Sequence, residues 1–196
     1  MAPEKQSERL ERCRQAVEEN PDQPTGYYNL GLAYTVSGRV KQAEEAYLKA
    51  VELDPTFIKA WVNLGGVRLL HWDFEGCLEA NQAAARLDEN LTEVHFNMGQ
   101  AYLYLNNPQG LFDCMKKVLE LDAGHAAAHY YSAVGTLALG NLGAAKRHLG
   151  RAIELGHSPT QDFIKALEKA EMKRARETPT LIEISGAKSP DENKED

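Results

Sequence analysis

Three short strings recur at one spacing: Asn29-Leu30-Gly31, Asn63-Leu64-Gly65 and Asn97-Met98-Gly99 lie 34 residues apart. A second series keeps the same interval, from Leu53-Asp54-Pro55 through Leu87-Asp88-Glu89 and Leu121-Asp122-Ala123 to Leu155-Gly156-His157. A fixed period of this length excludes most single-core folds. It points to helical hairpins stacked in one direction, each contacting only its neighbours and together presenting a long face to solvent.

The rest of the chain agrees. Of 196 residues, 43% are hydrophobic and 26% charged, enough apolar content for a continuous core. The formal net charge of -7 argues against nucleic acid as a partner, because a phosphate backbone needs a basic stripe. The one basic run, Lys173-Arg174-Ala175-Arg176, is diluted by Glu168, Glu171 and Glu177 and reads as a solvated helix face. Cys13, Cys77 and Cys114 have neither metal-site nor disulfide-framework spacing. They read as helix-buried thiols of a reducing compartment. The N-terminus carries no apolar secretory segment and no run is long enough to span a bilayer, so a cytoplasmic protein without membrane insertion is expected.

With the repeat origin at Pro24, four units follow: 24–57, 58–91, 92–125 and 126–159. Each holds two amphipathic helical patterns. In the first unit Tyr27, Leu30, Gly31 and Tyr34 share one helix face. Ala43, Tyr47 and Ala50 share another after a Ser37-Gly38 turn, and Pro55 ends the second helix. Glycine at one site lets two backbones approach while an aromatic ring fills the space beside it.

This order of residues resembles the tetratricopeptide repeat (TPR) family. The first unit matches the family pattern throughout. The second keeps Trp61, Leu64, Gly65 and Ala84, the third Gly99 and Tyr102, and the fourth Gly140, Ala145 and Ala152, with Ser132-Ala133 in place of Leu-Gly. The resemblance implies an all-α, right-handed superhelical solenoid of antiparallel helix pairs. Residues 1–23 would form an N-terminal capping helix or half repeat, since Ala16 and Pro21 fall on the last consensus sites. Residues 24–157 would hold the TPR units. A C-terminal capping helix over 158–177 would start at Ser158 as N-cap, with Gln161 closing a capping box. The acidic tail, 178–196, is expected to be disordered. Its apolar island Leu181-Ile182-Glu183-Ile184 is a candidate docking segment.

In this family the first helix of each pair lines the concave face. The resemblance therefore places Asn29, Asn63 and Asn97 on it at consensus position 6. A side-chain amide both donates and accepts, so three in a row suit the main chain of an extended peptide. Tyr28, Phe96 and Tyr130 at position 5, Gln100 at position 9 and Tyr104 at position 13 would read side chains. The Lys, Asn and Arg by which one TPR subclass clamps a C-terminal carboxylate are replaced by Tyr28, Leu32 and Asn97. Lys59 alone holds a comparable place, so that ligand is not expected.

No catalytic motif is present. His95 and His129 share position 4, and His125 precedes His129 by one helical turn, but a pair of histidines is an incomplete zinc site. Neither metal nor cofactor is expected, and the carboxylates, Glu44 among them, read as surface pairs with lysines. Two departures stand out. Trp72 occupies the turn site held elsewhere by Gly38 and Gly140, where a rearranged turn is expected. Arg68 replaces an intra-repeat tyrosine and needs solvent or a carboxylate. The function expected is a non-catalytic scaffold binding an extended peptide or helix of another protein. The alternatives are homo-oligomerisation through groove, ends or tail, and an assembly factor of a larger complex.

Overall fold

The computed structural model describes residues 3–177, and side chains over 7–174. The tail segment lies outside the described residues. Ten α-helices and no strand occur among the described residues: α1 (Pro3–Glu19), α2 (Pro24–Val36), α3 (Val40–Leu53), α4 (Ile58–Leu70), α5 (Phe74–Leu87), α6 (Thr92–Tyr104), α7 (Pro108–Leu121), α8 (Ala126–Ala138), α9 (Leu142–Glu154) and α10 (Gln161–Glu177). Each helix packs chiefly on the one before and the one after it. The chain is an all-α solenoid.

Local chemistry sets where the helices begin and end. Asp73, Asn107 and Asn141 each precede a second helix, and their side chains accept from the N–H of Gly76, Gly110 and Ala144. These caps satisfy one of the free donors of the first turn. His125 does the same for α8, its Nδ1 accepting from Ala128 N at 3.1 Å. The cap of α10 differs from the expected Ser158: Thr160 Oγ1 accepts from Phe163 N at 3.3 Å, and the helix opens at Gln161.

Between the two helices of each unit the chain turns through one left-handed residue: Gly38, Trp72, Asn106 and Gly140, with φ of 68°, 65°, 52° and 77°. The turn at Trp72 is not rearranged. Trp72 N donates to Leu69 O and Asp73 N to Arg68 O, the same two bonds that Gly140 and Asn141 make to Leu137 and Thr136. This helix-ending pattern demands a left-handed residue, and Trp72 takes that conformation despite its Cβ. Its ring stays 71% exposed while its edge meets Phe74 at 5.9 Å and Tyr104 of the next unit at 5.5 Å.

Each pair is locked by a small residue against a large one. A Cβ on Gly31 would lie 2.6 Å from the Tyr47 ring, and one on Gly99 would press on Met115. In the second unit the partner is Asn81, fully buried, whose Nδ2 donates to Cys77 O at 2.9 Å. A further contact explains Arg68. Gly110 packs under the Tyr102 ring, and Gly76 packs under the Arg68 stem. The guanidinium then finds its carboxylate: Nε donates to Glu44 Oε1 at 3.2 Å and Nη1 to Gly76 O at 3.0 Å. Glu44 is thus not a surface partner of lysines; it faces Arg68 and His71 with its side chain 20% exposed.

Candidate functional site

The first helices α2, α4, α6 and α8 carry all the candidate residues. Two cavities open between them. One, of about 240 Å³, is bounded by Tyr28, Ile58, Val62 and Leu91, with Lys59, Asn63 and Glu93 at its polar side. The other, of about 390 Å³, is bounded by Thr92, Glu93, Phe96, Asn97, Asp122 and His125. Glu93 belongs to both, so the cavities adjoin. The first is apolar with a polar rim. The second holds two carboxylates and an aromatic floor, where Phe96 meets His125 at 4.9 Å and Tyr131 at 5.8 Å.

The three asparagines are not equivalent. Asn29 is exposed and lines a separate hollow between α1 and α2. Asn63 is half-buried and its Nδ2 donates to Tyr28 Oη at 3.3 Å. Asn97 Nδ2 donates to Asn81 Oδ1 at 3.4 Å. An amide has two donor hydrogens and two acceptor lone pairs, so Asn63 and Asn97 keep capacity for a ligand while one hydrogen holds the side chain in place. Sequence reasoning missed Asn81. Its signal was a polar residue at consensus position 24, where the other units place Tyr47, Met115 and Leu149.

Other expected contacts divide. Tyr28 is half-buried, its ring 4.9 Å from Phe57. Lys59 is exposed and Gln100 half-buried. Tyr104 is 55% exposed and stacks on Phe74 at 4.7 Å, so it stands with Trp72 at the turn edge. Tyr130 is closed off from this face. It is 8% exposed, stacked on His157, and its hydroxyl lies 3.1 Å from Thr160 Oγ1, because the segment leading into α10 covers it.

Position 4 has a consistent role. Trp61 Nε1 donates to Pro55 O, His95 Nε2 pairs with Glu89 O and His129 Nε2 with Ala123 O, each six residues upstream. A carbonyl only accepts, so each ring nitrogen donates, and imidazole replaces indole as the donor. With Nε2 donating, His129 turns its Nδ1 to His148 Nδ1 at 3.2 Å. His125 does not converge with His129: it caps α8 and lies on Phe96. Among the described residues no third ligand joins the His129–His148 pair.

A pH response follows at His148. His148 titrates below its usual 6.5, first through burial and then through repulsion from His129 and Arg147. The unfolded chain therefore takes up a proton that the folded chain refuses as pH falls through 6.5, and that part of stability declines with acidification. Thermal melts of His148→Gln between pH 5 and 7.5 are expected to show a shallower decline than the wild type. An unchanged slope would assign the pH response to other groups. Burial raises the Cys77 thiol to about 11 and Cys114 to about 12, so neither forms a thiolate at neutral pH.

No helix among the described residues is long and apolar enough to cross a membrane. Stacked helix pairs with a cavity-bearing first-helix face define a repeat scaffold of the protein-interaction class. Models of the tetratricopeptide repeat match residues 24–57 and 92–125. The chain carries TPR repeats. Solved structures agree in fold. MamA is 18% identical, with 85% of this chain and 89% of that one covered at a TM-score of 0.72. MamA 41-end from Desulfovibrio magneticus RS-1 is 19% identical over 76% of this chain and 85% of that one, TM-score 0.72. YrrB, described as a TPR protein with an unusual peptide-binding site, is 25% identical over 86% of this chain and 84% of that one, TM-score 0.70. No curated protein matches the chain in sequence.

Proposed function

We propose that the first-helix face binds an extended segment of another protein that carries an apolar side chain followed closely by a basic one. The adjoining cavities joined at Glu93 carry this reading. Tyr28, Ile58, Val62 and Leu91 would take the apolar side chain; Glu93 and Asp122 would take the cation over Phe96. Asn63 and Asn97, with Asn29 beyond them, would pair with the peptide main chain. The likeness to YrrB supports a peptide as the ligand class. Three unpaired cysteines fit the reducing cytoplasm as the place of action. Modest hydrogen bonds of about 1 kcal/mol each plus one filled apolar cavity suit a Kd of about 1 μM.

Selection from a random displayed peptide library tests this. Enrichment of an apolar residue near Lys or Arg is expected. The enriched peptide, measured by calorimetry, should lose about fivefold in affinity to Asp122→Asn/Glu93→Gln, about 1 kcal/mol, the size of one partly solvated charge pair. Enrichment of acidic peptides, or equal affinity in the variant, would refute the assignment of the cation cavity.

A further inference from the structure

The two ends of the stack are halves of one repeat. In α1, Arg9, Cys13 and Ala16 stand 34 residues before Ala43, Tyr47 and Ala50 of α3, which are buried under α2. Thus α1 is a second-type helix, and among the described residues no first helix covers it. What remains is a hollow of about 230 Å³ lined by Arg9, Arg12, Cys13, Ala16, Gly26 and Asn29.

At the other end, α10 is a first-type helix. Its Phe163, Leu167 and Ala170 turn inward with the spacing of Ala60, Leu64 and Val67 in α4, counted from the helix starts at Gln161 and Ile58. The face where its own second helix would lie begins at Glu168, the counterpart of Gly65, and continues to exposed Met172, while Glu171 pairs back with Lys146 of α9. No second helix follows α10 among the described residues.

We infer that the C-terminal helix of one copy docks on the N-terminal helix of another, completing a TPR unit across the junction. The occupant is a second copy because α1 and α10 lie at opposite ends of one stack. Charge supports the match. Arg9 and Arg12 stand where the inner pairs have buried Ala43 and Ala46, so an apolar partner would strand two cations, whereas Glu168 would meet them. Size supports it too. Inner pairs set a small residue on the first helix against a large one on the second, as Gly31 against Tyr47; the junction sets Glu168 against Cys13, large against small. The contact is heterologous, so it propagates into chains of molecules unless the rotation closes a ring. It uses neither cavity of the peptide face.

Sedimentation of the full chain tests this, together with crosslinking. Mean mass is expected to rise with protein concentration and to fall as salt approaches about 0.5 M. Arg9→Glu/Arg12→Glu and Glu168→Lys should each reduce association at least tenfold, and mixing the two variants should restore it, because reversed ends pair with each other. Glu168→Cys should give a ladder of disulfide-linked chains through Cys13 of the next copy under mild oxidation, lost in the Cys13→Ser background; Cys77 and Cys114 are too buried to substitute. A wild type that stays monomeric, association indifferent to both charge reversals, or no ladder would each overturn the inference. Circular dichroism checks that the variants, all at surface or half-buried positions, keep their helix.

Discussion

Tyr47→Ala should destabilise the protein by about 3–5 kcal/mol, the range for deleting a fully buried aromatic side chain. Tyr47 is 0% exposed and fills the space that Gly31 leaves open, with its ring 6.0 Å from that of Tyr28. Its hydroxyl lies 3.2 Å from Thr35 Oγ1. Alanine would leave a void walled by two helices that cannot move together, because α3 is also fixed by α4. Tyr47→Phe removes only the hydroxyl contact and should cost about 1 kcal/mol. In a repeat stack, stability is the sum of units and their interfaces, so the damage should be local. Amide exchange should quicken most in α2 and α3 and least in α8 and α9. A loss spread evenly over all helices, or a cost below about 1 kcal/mol, would show that this pair is not a local lock.

Much of this architecture was legible because it rests on helix-face spacing. Gly31 opposite Tyr47 and Gly38 at a left-handed turn are requirements of backbone geometry, and a residue that meets them announces the place. Trp72 shows the limit. The sequence marked it as a departure and suggested a rearranged turn, but two main-chain hydrogen bonds outweigh a left-handed cost of about 1–2 kcal/mol. Arg68 shows another. Its need for solvent or a carboxylate was plain; that Glu44 meets it was not, because the pair joins the first unit to the second and spans 24 residues.

Which candidate residues stay open was less legible, for a physical reason. A position on a first helix fixes which way a side chain leaves the backbone, not what later covers it. Tyr130 has the same repeat position as Tyr28 and Phe96. It is buried only because Thr160, His157 and Phe163 come over it at the end of the stack. Periodicity carries no signal for that. The acidic cavity was missed similarly: Glu93 and Asp122 come from a helix and from the loop before the next first helix, and only stacking brings them together.

Gly65 and Asn81 should show strong non-additivity. A Cβ on Gly65 would lie 2.1 Å from Asn81 Nδ2, and that side chain cannot swing away while it donates to Cys77 O and accepts from Asn97. Gly65→Ala alone should therefore cost about 1–3 kcal/mol through overpacking. Asn81→Ala alone leaves a void and frees the Asn97 amide, with a cost of similar size. In the double variant the methyl group of Ala at 65 enters the space vacated at 81, so the combined cost should fall short of the sum by about 0.5–3 kcal/mol. Denaturant unfolding of the four proteins measures this coupling directly. The same set reports on the peptide face. Asn97 has lost its anchor in both variants lacking Asn81, so both should bind the selected peptide less tightly than Gly65→Ala does, even where stability has recovered. Additive stabilities would mean that the small-against-large pair is not in contact; equal peptide affinity in all four would mean that Asn97 gains nothing from being held by the core.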